Sequence, residues 1–220
     1  MSASRPDFHS YTAAEIAADR AVHVIGLAAA TAAVGWLLGS IGPAATIKQI
    51  AAVSIYSFGL VGMLSVSALY NLAVPSRLKA VLRRLDHSMI FVMIAGSYTP
   101  FAISALSPQL GVPLCAVVWG LAAIGIGLKL ACPFHFELVS LALYLGMGWL
   151  VLAVLRSMLA VLPRDTMLLL LVGGVIYSLG ALLHARARMR FQNAIWHAMV
   201  VVAAGLHFAA VAQVSSGQGW

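Results

Sequence analysis

Hydrophobic positions along this chain run in long blocks, not in short alternating stretches. Apolar windows cover about 21–39, 48–73, 87–107, 113–131, 138–158, 166–184 and 194–214. Each is close to the ~20 residues that a helix needs to cross a bilayer. The period-two alternation of an outer-membrane barrel is absent, and only helices or closed barrels satisfy their own backbone inside hydrocarbon. The pattern therefore predicts an all-α integral membrane protein, a bundle of seven transmembrane helices. The windows fill nearly the whole chain, so residues 1–220 read as a single seven-helix domain. Ahead of the first window, residues 1–20 ("MSASRPDFHSYTAAEIAADR") are polar and lack the apolar core of a removable signal peptide.

Composition agrees with the pattern. The chain is 62% hydrophobic and 9% charged, with a mean hydropathy of +0.99, against ~45–50% apolar and about 25% charged in soluble domains. Charge then orients it. With seven spans, one side carries Arg5, Arg20, Arg77, Lys79, Arg83, Arg84, Lys129, Arg186, Arg188 and Arg190, and the other only Lys48, Arg156 and Arg164. The excess of basic residues predicts a cytoplasmic N-terminus, with residues 1–20 as a polar cytoplasmic segment, in a multi-pass protein of the cell inner (plasma) membrane. The net charge of +7 is juxtamembrane anchoring against lipid headgroups, and no nucleic-acid partner is expected. Cys115 and Cys132 lie at opposite ends of the fourth window, about 25 Å apart at ~1.5 Å per residue, too far for a disulfide.

Polar residues inside the windows gather at one depth. His23 opens span 1, Ser67 and Asn71 close span 2, Asp86 and His87 open span 3, and Asn193 and His197 open span 7, with His207 deeper in the same helix. Ser67 and Asn71 are spaced i,i+4 and share a helix face, as do Asn193 and His197. His207 follows Asn193 by 14 residues, about 40° short of four turns, so the three predict one stripe running inward. Ionisable groups in a span cost on the order of ~2.5 kcal/mol or more and face a bundle cavity. A cytoplasmic-side polar cavity is the reading, with membrane lipids as partners and a fatty acid or ceramide-like lipid as its occupant.

Plainer roles stand beside that one. Ser67 and Asn71 suit interhelical hydrogen bonding, worth ~0.6 kcal/mol on average. Asp86 suits the N-cap of span 3, and His87 suits headgroup level. His135 and His184 fall at span ends, and His9 in the N-terminal segment. Gly35 and Gly39 form a small-xxx-small pair that predicts close helix contact. Pro100 predicts a kink in span 3, with Ser97 and Thr99 near the freed carbonyls.

At these residues the sequence resembles the hemolysin III family, the bacterial branch of the progestin and adipoQ receptor superfamily. The resemblance rests on "YTAAEIAADRAVHVIGL", "SALYN", "LDHSMIFVMIAGSYTPF" and "AIWHAMVVVAAGLHF". It implies a seven-helix bundle with its N-terminus in the cytoplasm. Adiponectin receptors of the superfamily hold zinc with three histidines, while a serine and an aspartate hold its water; the site is associated with ceramide hydrolysis. Ser67 and Asp86 match that serine and aspartate, and His197 matches the second span-7 histidine. Asn71 and Asn193 stand where the other two histidines are expected. Amide oxygens are weak zinc donors, so zinc at that set is expected to be weak or absent, with His197 and Asp86 the metal ligands if an ion binds. Exchanging both asparagines for histidine is expected to create zinc binding.

Three functions remain open on the sequence. The first is membrane lipid homeostasis or lipid sensing through the cavity. The second is ceramidase-like lipid amide hydrolysis, with Ser67, Asp86 and His197 as catalytic residues and Asn71, Asn193, His207, His23 and His87 lining the ligand. The third is a proton or ion path through His207, His197 and Asp86, since histidine titrates near neutrality. A retinal pigment is disfavoured because span 7 has no lysine, and no motif marks a pore.

Overall fold

The structure, a computed structural model, describes residues 11–43, 45–132, 137–186 and 189–215. Arg5, His9, His135 and Arg188 lie outside the described residues. The fold is all-helical: α1 (Ala13–Ser40), α2 (Ile47–Leu72), α3 (Arg77–Ser104), α4 (Pro108–Ala131), α5 (Glu137–Gly148), a 3₁₀ segment (Trp149–Val154), α6 (Leu155–Val161), α7 (Arg164–Arg186) and α8 (Gln192–Ser215). Among the described residues, six stretches are long and apolar enough to cross a membrane: α1, α2, α4, the α5–α6 run, α7 and α8. Alone among the long helices, α3 misses that threshold; its first turns hold Arg77, Lys79, Arg83, Arg84 and Asp86.

Local chemistry sets the starts. Thr12 and Glu15 form a reciprocal capping box at α1, and Thr46 and Gln49 form another at α2, each satisfying backbone donors that a first turn leaves orphaned. Ser76 caps α3 by accepting from the Lys79 N–H, so Asp86 lies ten residues inside α3 and is not its cap. Residues 13–20, read from sequence as a polar segment, are instead the first two turns of α1. Their polarity misled because a helix can extend past the hydrocarbon on its polar end.

Outer faces are apolar: Phe58 is 66% exposed and Val24 65%, the surface expected where lipid is the solvent. Inside, Tyr56, Phe91, Val118 and Ala203 are fully buried. Consecutive helices pack as neighbours, and α1 closes the ring by packing on both α2 and α8, while α3 touches α2, α4, α5 and α8. Close approach relies on different glycines from the predicted pair. A Cβ on Gly35 or Gly39 would meet nothing within 4 Å, whereas one on Gly26 would sit 2.6 Å from Val201 Cγ2 of α8. The α1–α8 contact therefore runs through Gly26, because Gly35 and Gly39 point away from the bundle.

At a proline and at a 3₁₀ segment, side chains bond the surrounding backbone. Around Pro100, Thr99 Oγ1 donates to the Ala95 carbonyl and receives the Trp119 indole N–H, and α3 continues as one helix to Ser104. Where the fifth stretch narrows to 3₁₀, the Tyr98 hydroxyl lies 2.8 Å from the Met147 carbonyl and 2.9 Å from that of Gly148, and accepts the Val151 N–H at 2.9 Å. Irregular backbone at such depth needs this kind of partner. Cys115 and Cys132 are free thiols.

Candidate functional site

The starts of α1, α3, α5 and α8 and the ends of α2, α4 and α7 meet at one end of the bundle. Three contacts tie them. Glu15 of α1 accepts the Phe191 N–H, pinning a residue held at φ 59°, a left-handed conformation that is strained for a side chain. Glu137 of α5 binds Arg83 of α3 at 3.2 Å and Lys129 of α4 at 2.9 Å. Lys79 Nζ closes the α2–α3 turn on the Ala73 carbonyl.

Inside that end lies a polar cluster built by α1, α2, α3 and α8. Asp19 and His23 are i,i+4 on α1, and the Asp19 carbonyl is 2.8 Å from His23 Nδ1. A carbonyl only accepts, so this contact protonates Nδ1 and leaves the lone pair on Nε2. His23 Nε2 faces the Ser67 hydroxyl at 3.4 Å. Across the interface, His197 Nδ1 lies 2.6 Å from Asp19 Oδ1, and the His23 and His197 rings meet edge to face with centroids 4.2 Å apart. Asp86 stands within hydrogen-bonding reach of the Ser67 hydroxyl and near the His197 ring. Side-chain exposure is 3% for His23, 13% for Asp19 and 12% for His197, so the cluster is largely withdrawn from solvent.

The asparagines are turned to other tasks. Asn71 Nδ2 donates back to the Ser67 carbonyl at 2.9 Å, and Asn193 Oδ1 accepts from the Tyr11 hydroxyl at 3.3 Å. Neither presents a strong zinc donor, so the residues at those positions do not fit the metal set that the resemblance implies. Asp19, His23 and His197 form a different group, each bringing one potential ligand atom to within 4.8 Å of the others.

A cavity of about 1460 Å³ starts at this cluster. At one end its wall includes Asp19, Asn71, Asp86, Asn193 and His197; further along it is built from residues such as Ile94, Leu145, Leu152 and Leu171. His87 and His207 also line it, with other neighbours. The His87 carbonyl accepts from Tyr144, and its ring lies in the field of Glu137, Lys129 and Arg83. His207 Nε2 contacts the Leu170 carbonyl at 3.2 Å and packs edge-on to Tyr177, in space left by Gly173. The three residues of the predicted span-7 stripe all line this cavity, while His197 bonds toward α1 and His207 toward α7. Ten residues from His197 to His207 fall about 80° short of three turns, enough to aim them at different neighbours.

Five of the residues singled out from sequence share this cluster, His23, Ser67, Asn71, Asp86 and His197, and Asn193 lines the same cavity. Asp19, Glu15 and Tyr11 were missed because they stood in the stretch read as polar tail. Asp19 carried a usable signal, its i,i+4 spacing from His23.

The sequence profile described as "Haemolysin-III related" matches residues 18–208, beginning one residue before Asp19 and ending one after His207. The chain belongs to the haemolysin III family. This family member is 32% identical to the hemolysin-3 homolog of Bacillus subtilis (strain 168) over 191 residues, 87% of this chain and 90% of that protein. It is also 32% identical to hemolysin-3 of Bacillus cereus, over 74% of each chain. The human monocyte to macrophage differentiation factor is 31% identical over 166 residues, 71% of this chain and 67% of that one. The haemolysin III assignment, with its progestin and adipoQ receptor relatives, makes the chain a multi-pass membrane protein by family and by its apolar helices alike.

Proposed function

We propose that this haemolysin III protein acts in membrane lipid homeostasis or lipid sensing, taking one acyl lipid into the cavity with its polar head at the Asp19–His197 end. The observation carrying this reading is the make-up of the cavity wall: Asp19, Asp86, His197 and the two asparagines lie at the polar cluster, Arg164 stands at the opposite start of α7, and aliphatic side chains from α3, α5, α6 and α7 supply most of the rest. Ligand sites of this sort combine an apolar body with a few convergent polar groups. The reading includes α3 as a seventh span and a cytoplasmic N-terminus in the inner membrane, following the positive-inside bias. A test is native mass spectrometry with lipid extraction on the detergent-purified protein. One acyl lipid per chain is expected to survive delipidating washes. Gly174 lines the cavity and has open space at its Cβ, so Gly174→Trp should remove most of that lipid while the protein stays folded. Equal lipid in both proteins, or none above the detergent-belt background, would reject the reading.

A second reading is favoured by one contact, the Asp19–His197 pair at 2.6 Å. A carboxylate in that position orients an imidazole as general base. His197 would take a proton from water near Ser67 and Asp86, the hydroxide would attack a lipid amide carbonyl, and the proton would pass to the departing amine as the C–N bond breaks. General-base catalysis supplies ~10²–10⁴-fold. Release of fatty acid from an N-acyl sphingoid base by the wild type, and its loss in His197→Ala, is the outcome this reading requires.

A further inference from the structure

We propose that Asp19, His23 and His197 form a divalent transition-metal site, with zinc as the preferred ion, using donors from α1 and α8. The donor set is two imidazoles and one carboxylate, the composition of many three-ligand zinc sites. It differs from the ligand set at Asn71 and Asn193 that the family resemblance implies: α1 supplies what α2 and the first turn of α8 do not. The proposal is independent of what occupies the apolar part of the cavity.

Spacing supports it. Zinc–nitrogen and zinc–oxygen bonds of about 2.0–2.1 Å place tetrahedral donors roughly 3.4 Å apart. The three side chains have their ligand atoms within 4.8 Å of one another, and the tightest contact, Asp19 to His197, is 2.6 Å. The required value falls between these, so side-chain adjustment suffices. The backbones are already close: Gly26, one turn beyond His23 on α1, faces Val201 of α8, whose Cγ2 lies 2.6 Å from where a Cβ would stand. On the same turn Asp19 and His23 come to one face by their i,i+4 spacing.

Charge supports it as well. Two nearly buried imidazoles have ring centroids 4.2 Å apart, and Asp19 and Asp86 bring two carboxylates to the same cluster. A dication at the cluster balances those carboxylates. On binding, the ion takes the place of the proton between Asp19 Oδ1 and His197 Nδ1, and that proton leaves to solvent. The Asp19 carbonyl on His23 Nδ1 leaves Nε2 as that ring's ligand atom, as outer-shell partners of metal-bound histidines do, and the Ser67 hydroxyl, with Asp86 next to it, yields that nitrogen to the ion. Asp19 and His197 both line the cavity, so a fourth coordination position opens toward it.

The test uses the whole protein, purified in detergent without chelator, stripped and then titrated with zinc or with cobalt(II) alone. The wild type is expected to bind one ion per chain, with tetrahedral d–d absorption in the cobalt form. His197→Gln and His23→Gln should each weaken binding by more than about 100-fold, beyond the ~10–100-fold typical of lost outer-shell partners. His207→Gln, outside the cluster, should bind as the wild type does. His23→Cys keeps a ligand and should add a thiolate-to-cobalt charge-transfer band, a gained signal that misfolding cannot supply. A wild type that binds less than one ion per chain, undiminished zinc in His23→Gln, or a cobalt-loaded His23→Cys without the new band would each overturn the proposal. Lipid occupancy is read separately, so either proposal can fail without the other.

Discussion

Asp19 joins two helices through a side chain that lies mostly out of solvent. Its carboxylate meets His197 at 2.6 Å and stands 3.7 Å from His23 Nδ1, while its own backbone carbonyl holds the other side of that ring. A hydrogen bond to a charged group contributes about 1.5–3 kcal/mol, and more is lost when a buried partner is stranded. Asp19→Asn keeps the shape but removes the charge. It is expected to destabilise the metal-free protein by about 1–3 kcal/mol, read as a lower unfolding midpoint in detergent, whereas exposed Arg20→Gln should leave that midpoint unmoved. Of the residues in the cluster, polar character inside or at the edge of an apolar window revealed His23, Ser67, Asp86 and His197. Asp19 escaped because nothing in its neighbours marks residues 13–20 as helix before the Thr12–Glu15 capping box is recognised.

At the scale of single elements, each helix start obeys local rules, while interior irregularities depend on partners from elsewhere in the chain. The 3₁₀ segment Trp149–Val154 lies in a run of apolar residues with no proline or polar interruption. What accommodates it is Tyr98 of α3, whose hydroxyl serves three backbone groups there. Tyr98→Phe should strand the Val151 N–H and cost about 1–3 kcal/mol, measured as a lower midpoint, with faster hydrogen exchange confined to residues 147–154. Gly26 and the Gly35–Gly39 pair make the same point in reverse. All three suit close packing, and only the facing Val201 selects Gly26.

Across the whole molecule, alternating helix direction brings the basic connections and the polar cluster to one end, and the proposed orientation puts that end in the cytoplasm. Replacing Cys115 and Cys132 and adding single cysteines checks it with an impermeant thiol reagent on intact cells. Ser107→Cys, between α3 and α4, should label directly, and Ser76→Cys, between α2 and α3, only after the membrane is opened; the reverse result would invert the topology. By itself the sequence determined membrane residence, the positions of nearly all the helices and the end of the bundle at which polar groups gather. These follow from burial of apolar length and from local backbone chemistry, which act within about twenty residues. Tertiary structure alone decided which donors meet: Asp19 and His23 against His197, Asn71 folded back on Ser67, His207 turned toward α7. Such meetings depend on helix rotation and interaxial distance, and those are fixed by side-chain contacts such as Gly26 on Val201 between residues far apart in the chain.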